Sequence, residues 1–347
     1  VKVLKKSLLI ILLPFFGIFL AILFVEGIVR VSESLVSGPP RWSDRPGKYF
    51  QYEGSSTLQD YKYEPLARHS SQSDAHSGVF RIAVIGDSFT FAPYMQFTDA
   101  FPKVLERMLN LNQGAPRVEV VNYGVPAYST SHEVDVAKQA ANEGADLIIL
   151  QFTLNDPELK PLRPTGITQF GTWGPYAPTG WTKQLFSYWH TGFLVAQRLH
   201  NARTKKAYVE YFLDLFNGQR TFKVFKDSVT KIHNIAQRRS IPMIGVIFPL
   251  FGTPLDQSYP FYSCHNKIAE LLDGLKVPHL DLLSIYKGIS LERLQVIPGE
   301  DRHPNEIGHR MAAEAIYQYL EEHSLIPDSV RIRKWSGQRH NIYASEQ

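Results

Sequence analysis

From Phe80 onward, short apolar runs alternate with stretches of helical periodicity, and few folds accommodate that rhythm. The runs fall at 82–85, 118–121, 147–152, 243–248 and 279–282, and the helical stretches at 97–109, 131–142, 222–239, 269–275 and 306–322. In the runs 82–85, 147–150 and 243–248 the apolar positions are close to consecutive rather than alternating, as strands covered on both faces require. A strand that returns parallel to its neighbour needs a crossover, and the intervening helices supply it. The expectation is an α/β domain with a parallel sheet between helical layers, over residues 80–326. Residues 157–217 interrupt the rhythm with Pro-, Gly- and Trp-rich sequence followed by helix-compatible pieces at 193–200 and 208–216, and read as an insertion or lid. At 347 residues and 44% hydrophobic content, the chain can close one large core with little length left for a second catalytic domain.

The amino terminus carries a different signal. Lys2, Lys5 and Lys6 precede an uncharged run, 7–25, which at ~1.5 Å per helical residue spans about 28 Å, close to the hydrocarbon thickness of a bilayer. Residues 1–35 are therefore expected to form one transmembrane helix that anchors the protein in the cytoplasmic (inner) membrane as a single pass. The lysines would stay on the cytoplasmic side, and the domain would face the periplasm or cell exterior. A cleaved signal peptide is the alternative; its apolar region is usually shorter, and no small-x-small site follows Val25. Residues 36–79 lack an apolar period and read as a linker or surface arm. Residues 327–347 read as a polar, basic, solvated tail.

Charge and cysteine content exclude more than they assign. A net charge of +4 with no basic block gives no nucleic-acid footprint. The single cysteine, Cys264, reads as a small core residue. No histidine or cysteine spacing calls for a metal or cofactor, and His309, six positions after His303, reads as structural.

Ligands of open parallel sheets sit at the carboxyl ends of the strands, so the chemistry is sought in the loops that follow them. Gly86-Asp87-Ser88 follows the first run and holds a serine hydroxyl at that edge, although Gly, Asp and Ser also make ordinary turns and caps. A serine needs a base to take its proton. The segment 298–306 offers one: Glu300 and Asp301 lie just before His303 where a helix begins, and an acid so placed can turn back to the imidazole N–H and fix its tautomer. In isolation the segment is also a plain capping turn. After the third run, Asn155 can donate to a developing oxyanion or make an Asx turn before Pro157, and backbone N–H groups of 122–130 can complete the same anion site.

In this order, on this pattern of elements, the four segments resemble the SGNH (GDSL-like) hydrolase family, of a membrane-anchored bacterial type. The likeness runs from about residue 80 to 320 and is loosest in the insertion. It implies a three-layer α/β/α sandwich with a mostly parallel, flavodoxin-like five-stranded sheet. It also implies a nucleophile at Ser88, a base at His303, and an oxyanion hole from the Ser88 and Ala127 N–H groups and the Asn155 amide. Three positions depart from the family pattern. Ala127 stands where a glycine is usual, which a backbone donor tolerates if the site needs no positive φ. Thr153 replaces another glycine and adds bulk beside Asn155. Three-residue spacing before His303 lands on Glu300, whereas Asp301 lies two before it; the short Asp suits the tight turn and is assigned as the orienting acid, with Glu300 as the alternative.

The implied activity is ester hydrolysis of the carboxylesterase or deacetylase type, needing no metal or cofactor, on an acylated carbohydrate or lipid ester. Acyl transfer, typically acetyl, to a cell-surface polysaccharide uses the same chemistry, and aromatic residues of the insertion (Trp173, Tyr176, Trp181, Tyr188 and Trp189) would suit sugar rings or form a small core of their own. A non-catalytic binding or assembly protein on the same fold is the reading from another class. The changes at Ala127 and Thr153 favour it, and the presence of Ser88, Asn155 and His303 opposes it.

Overall fold

The computed structural model describes residues 2–35, 79–111, 118–159, 178–297 and 301–327. Expectations for the linker 36–78, for Glu300, for Trp173 and Tyr176, and for the tail beyond 327 lie outside these residues. The chain divides into two compact units, Val1–Pro46 with Gly166–Tyr211, and Gly47–Thr165 with Phe212–Gln347. The segment expected as an insertion into the catalytic domain thus groups, over Gly166–Tyr211, with the amino-terminal helix.

In chain order the elements are α1 (Lys2–Leu35), β1 (Phe80–Gly86), α2 (Ser88–Phe91), α3 (Phe101–Leu109), β2 (Val118–Gly124), α4 (Thr130–Asn142), β3 (Leu147–Phe152), α5 (Trp181–Tyr188), α6 (His190–Asn217), α7 (Gln219–Arg238), β4 (Met243–Ile247), α8 (Tyr262–Gly274), β5 (His279–Asp281), α9 (Leu283–Tyr286), α10 (Leu291–Leu294), β6 (Gln295–Ile297), β7 (Asp301–Pro304) and α11 (Glu306–Glu322). Strands β1 to β5 form one sheet in the order β2-β1-β3-β4-β5, with every pair parallel. This is the doubly wound order whose connection reverses between β1 and β3, and the crevice at that reversal opens at the carboxyl ends of those two strands. Every residue of β3 is buried, so both faces of the sheet are covered. Among the covering helices, α4 packs with α7 and α3 with α11. Phe89, the residue after Ser88, joins Phe248, Phe251 and Tyr286 in a chain of ring contacts. Cys264 is buried, and burial pushes its thiol up to about 11, leaving it an unreactive core group.

Three elements differ from expectation for identifiable reasons. The stretch 97–109 is a 3₁₀ turn, Phe97–Asp99, followed by α3, because Ala100 is extended and Pro102 opens the new helix. Strand β2 runs on to Gly124, three residues past its apolar run. The loop expected to carry His303 is instead β7, which pairs antiparallel with β6.

Unit one contains α1, whose window Leu13–Ser32 has a mean hydropathy of 2.1 and is long and apolar enough to cross a membrane. Its apolar side chains from Leu13 to Val25 are exposed, as lipid-facing residues would be.

Candidate active site

The site begins with how β1 ends. A Cβ on Gly86 would sit 2.2 Å from Gln151 Oε1 and 2.4 Å from Thr90 Oγ1, so glycine lets the turn close against β3 with those two side chains where they stand. Gln151 uses that proximity: its Oε1 accepts from the Asp87 N–H at 3.2 Å and from the Thr90 hydroxyl at 2.8 Å. Asp87 then caps α2, its Oδ1 accepting from the Phe89 N–H at 2.9 Å, which fixes Ser88 as the first helical residue. On the other side Asn122 donates from Nδ2 to the Thr90 carbonyl at 2.9 Å and accepts at Oδ1 from the Gly124 N–H at 2.9 Å, binding the end of β2 to α2. Ala92 ends α2 in the left-handed conformation, φ +63°, with its N–H on the Ser88 carbonyl.

The hydroxyl so placed meets an imidazole from the far end of the chain. His303 Nε2 lies 2.8 Å from Ser88 Oγ, and its Nδ1 lies 2.7 Å from Asp301 Oδ1. The same carboxylate oxygen accepts the His303 backbone N–H at 2.9 Å, so the acid two positions before the histidine does bend back in the tight turn. Nδ1–H donating to Asp301 leaves Nε2 as the proton acceptor facing Ser88. Asn305 secures the following turn: its Oδ1 caps α11 through the Ile307 and Gly308 N–H groups at 3.0 and 3.1 Å, and its Nδ2 donates to the Arg293 carbonyl at 2.9 Å. Phe89 packs against the imidazole with ring centroids 5.4 Å apart.

Both members of the pair are partly buried, 27% exposed for His303 and 21% for Asp301. Burial disfavours the charged imidazolium, but the Asp301 carboxylate more than offsets it and raises His303 above the ordinary histidine value. For Asp301, burial pushes upward and is outweighed by His303, so its carboxyl lies below the usual range and remains ionised.

The loop after β3, from which the Asn155 donor is expected, is held by Thr153. Its backbone N–H donates to Asp156 Oδ2 at 2.8 Å, and its hydroxyl reaches Asp87 Oδ2 at 2.8 Å and makes a short contact with Asn155 Oδ1. The buried Thr153 side chain therefore ties the loop that carries Ser88 to the Asn155 loop. With Oδ1 turned to Thr153, the Asn155 amide hydrogens are left for another acceptor. Among the described residues, no acceptor is found for the N–H of Ser88 or Ala127 either. Ala127 has φ +65°, so this position does use the left-handed backbone that favours glycine.

Residues that the sequence reading passed over support this arrangement. Gln151 is the one amide in the otherwise apolar run 147–152, which is the signal that marked it. Behind the loops, Glu133 and Asp156 are buried carboxyls. Burial first, and then the charge of neighbouring acids, Asp156 and Asp87 for Glu133 and Asp87 for Asp156, raises both well above the ordinary range. His309 is also buried: its Nδ1 accepts the Phe101 N–H at 3.2 Å, and burial with nearby His303 lowers it to about 3, so it is a neutral packing residue. A second imidazole–carboxylate pair, His265 Nδ1 to Asp281 at 2.9 Å, ends on the Tyr259 hydroxyl at 3.2 Å, which itself accepts the Leu250 N–H. That pair staples the loop after β4. Among the described residues, no cluster of His, Cys, Asp or Glu is arranged to hold a metal ion.

No protein-family model and no curated protein sequence matches the chain. Among solved structures, it is similar to the lipase/acylhydrolase from Enterococcus faecalis, at 14% identity and TM-score 0.43 over 70% of this chain and 96% of that one. It is also similar to a member of the lipolytic protein G-D-S-L family from Veillonella parvula DSM 2008, at 12% identity and TM-score 0.38 over 70% and 98%. A third is the acetyl xylan esterase AlAXEase, at 14% identity and TM-score 0.42 over 70% and 100%. No residue role is carried across at such identities, and the chemistry rests on the geometry of Ser88, His303 and Asp301.

Proposed function

We propose that the chain is a serine-dependent ester hydrolase, tethered by α1 and acting outside the cytoplasmic membrane on an acylated carbohydrate or lipid ester. The observation that carries this reading is the unbroken line from Asp301 through His303 to the Ser88 hydroxyl, on the β1 side of the sheet's switch point.

Ser88 Oγ attacks the acyl carbonyl carbon while His303 Nε2 takes its proton, and Asp301 steadies the imidazolium that forms. The carbonyl oxygen becomes negative, and the Ser88 and Ala127 N–H groups and the Asn155 amide are the donors proposed to hold it. The tetrahedral adduct expels the alcohol, which leaves with the proton from Nε2, and the acyl group remains on Oγ. Water then attacks the acyl carbon, gives its proton to Nε2, and the free acid departs as Ser88 recovers its hydrogen.

The test is release of p-nitrophenol from p-nitrophenyl acetate by the full chain in detergent, beside Ser88→Ala. A loss of several orders of magnitude is expected for a triad nucleophile; equal rates in the two proteins would dismiss the assignment. Adding an oligosaccharide acceptor and analysing products separates free acid from ester formed on sugar.

A further inference from the structure

Unit one holds an arrangement that the ester chemistry does not use. The Glu26 carboxylate on α1 is fully engaged: Oε1 accepts from the His190 N–H and from Arg30 Nε, both at 2.9 Å, and Oε2 accepts from the Thr191 N–H and hydroxyl, both at 2.8 Å. Arg30 also donates to the Tyr188 carbonyl at 2.7 Å. The first N–H groups of a helix have no partner within it and carry the positive end of its dipole. Glu26 thus caps α6 from another element and, with Arg30, fastens the junction of α5 and α6 to one level of α1.

That level is informative. The uncharged run 7–25 covers about 28 Å, the thickness of a bilayer's hydrocarbon, and Glu26 is the first charge beyond it. The junction is therefore fastened where hydrocarbon gives way to headgroups. At the same place α5 carries an uncovered apolar stripe. Trp181, Leu185 and Tyr188 recur at i, i+4 and i+7, within an arc of about 60°, and are 74%, 38% and 80% exposed. Phe186, Trp189 and Phe193 form a small ring cluster, so part of the aromatic content does pack internally, but this stripe does not. Tryptophan and tyrosine, apolar in body and polar at the tip, are the side chains that settle at the headgroup level.

We infer that α5 is a membrane-interface shelf: its Trp181, Leu185 and Tyr188 face sits in the headgroup layer of the bilayer that α1 crosses, held at that depth by Glu26 and Arg30. The inference rests on the reading of α1 as a membrane span, and it assigns to unit one a contact with lipid rather than with sugar.

Spin labels test it in the full chain reconstituted in phosphatidylcholine/phosphatidylglycerol nanodiscs. Trp181→Cys and Tyr188→Cys are compared with Phe16→Cys in α1 and with exposed Lys231→Cys on α7; Cys264 is buried and stays unlabelled. Labels at 181 and 188 should lose accessibility to an aqueous nickel complex relative to 231 and gain collisions with oxygen. Adding Glu26→Ala should return the label at 188 toward water while leaving that at 16 unchanged. Labels at 181 and 188 as water-exposed as 231, with 16 in lipid, overturn the shelf and leave the anchor standing. A label at 16 in water removes the anchor and the shelf together. Protection of 181 and 188 only when oligosaccharide is added makes the face a glycan surface and also overturns the inference.

Discussion

Replacing Gly124 with alanine should cripple the nucleophile without touching it. A Cβ there would lie 2.3 Å from the Phe91 nitrogen, 2.7 Å from the Thr90 carbonyl carbon and 2.8 Å from Phe91 Cα. All three are backbone atoms at the end of α2, so no side chain can swing aside. Ordinary contact begins near 3.4 Å, and the two backbones must part by about 1.1 Å. The movement opposes the 2.9 Å bond from Asn122 to the Thr90 carbonyl and carries Ser88 away from an imidazole now 2.8 Å distant. A misplacement of about 1 Å costs on the order of 10²-fold in rate, and overpacking of this kind costs about 1–3 kcal/mol. For a domain of this size each kcal/mol lowers Tm by about 2–4 °C. The assay is kcat for p-nitrophenyl acetate with thermal unfolding of the same sample, beside Gly86→Ala. That second clash is chiefly with the ends of Gln151 and Thr90, which can move, so its effect should be milder. Wild-type kcat and Tm in Gly124→Ala would refute the claim that the close approach of β2 and α2 positions Ser88.

The base must be neutral to act, and His303 is raised above 6.5, so kcat/KM should climb with pH through a midpoint above that value. Asp301→Asn should lower the midpoint and cut the rate by roughly 10⁴-fold, as loss of an orienting carboxylate does in other triads; an unmoved midpoint in the pH–rate profile would remove Asp301 from the role. Ala127→Gly relieves a left-handed alanine at some cost in unfolded-chain entropy, for a net gain of about 0.5–1 kcal/mol with activity retained, and a lower Tm would show that φ +65° is not strained. Glu133 is raised in the fold, so its contribution to stability is present below the unfolded carboxyl value and is lost as pH rises through the folded one. Thermal unfolding from acid to alkaline pH should show Tm falling more steeply for wild type than for Glu133→Gln, and parallel curves would count against a buried neutral acid.

What could be read in the chain depended on whether a residue's role is local. The run 147–152 coincides with β3 because six consecutive buried positions leave no ambiguity. The apolar pattern of β2 ends at the first amide, Asn122, yet that amide is buried and donates to the Thr90 carbonyl, a partner only the fold brings near. The pieces 193–200 and 208–216 are one helix, α6; between them Arg203, Lys205 and Lys206 are exposed, and periodicity reports only faces that are covered. β6 and β7 are too short to show a period at all. Ser88, Asp301 and His303 stood out because their types and spacing carry chemistry, whereas Gln151 matters through Asp87 and Thr90, partners remote in sequence.

Two of the three departures from the family pattern fall on one side of the site. Ser88, His303 and the turn between Asp301 and Asn305 form a proton path with little slack, while Ala127 and Thr153 both belong to the proposed oxyanion side. Thr153 offers the Asp87 carboxylate and the Asn155 carbonyl a shared hydroxyl that a glycine there would lack. Its effect should therefore be on how firmly the Asn155 amide is aimed, not on whether Ser88 is activated. Loss of that hydroxyl would then lower kcat for every ester alike and leave the pH midpoint of His303 in place, since the path from Asp301 to Ser88 does not pass through it.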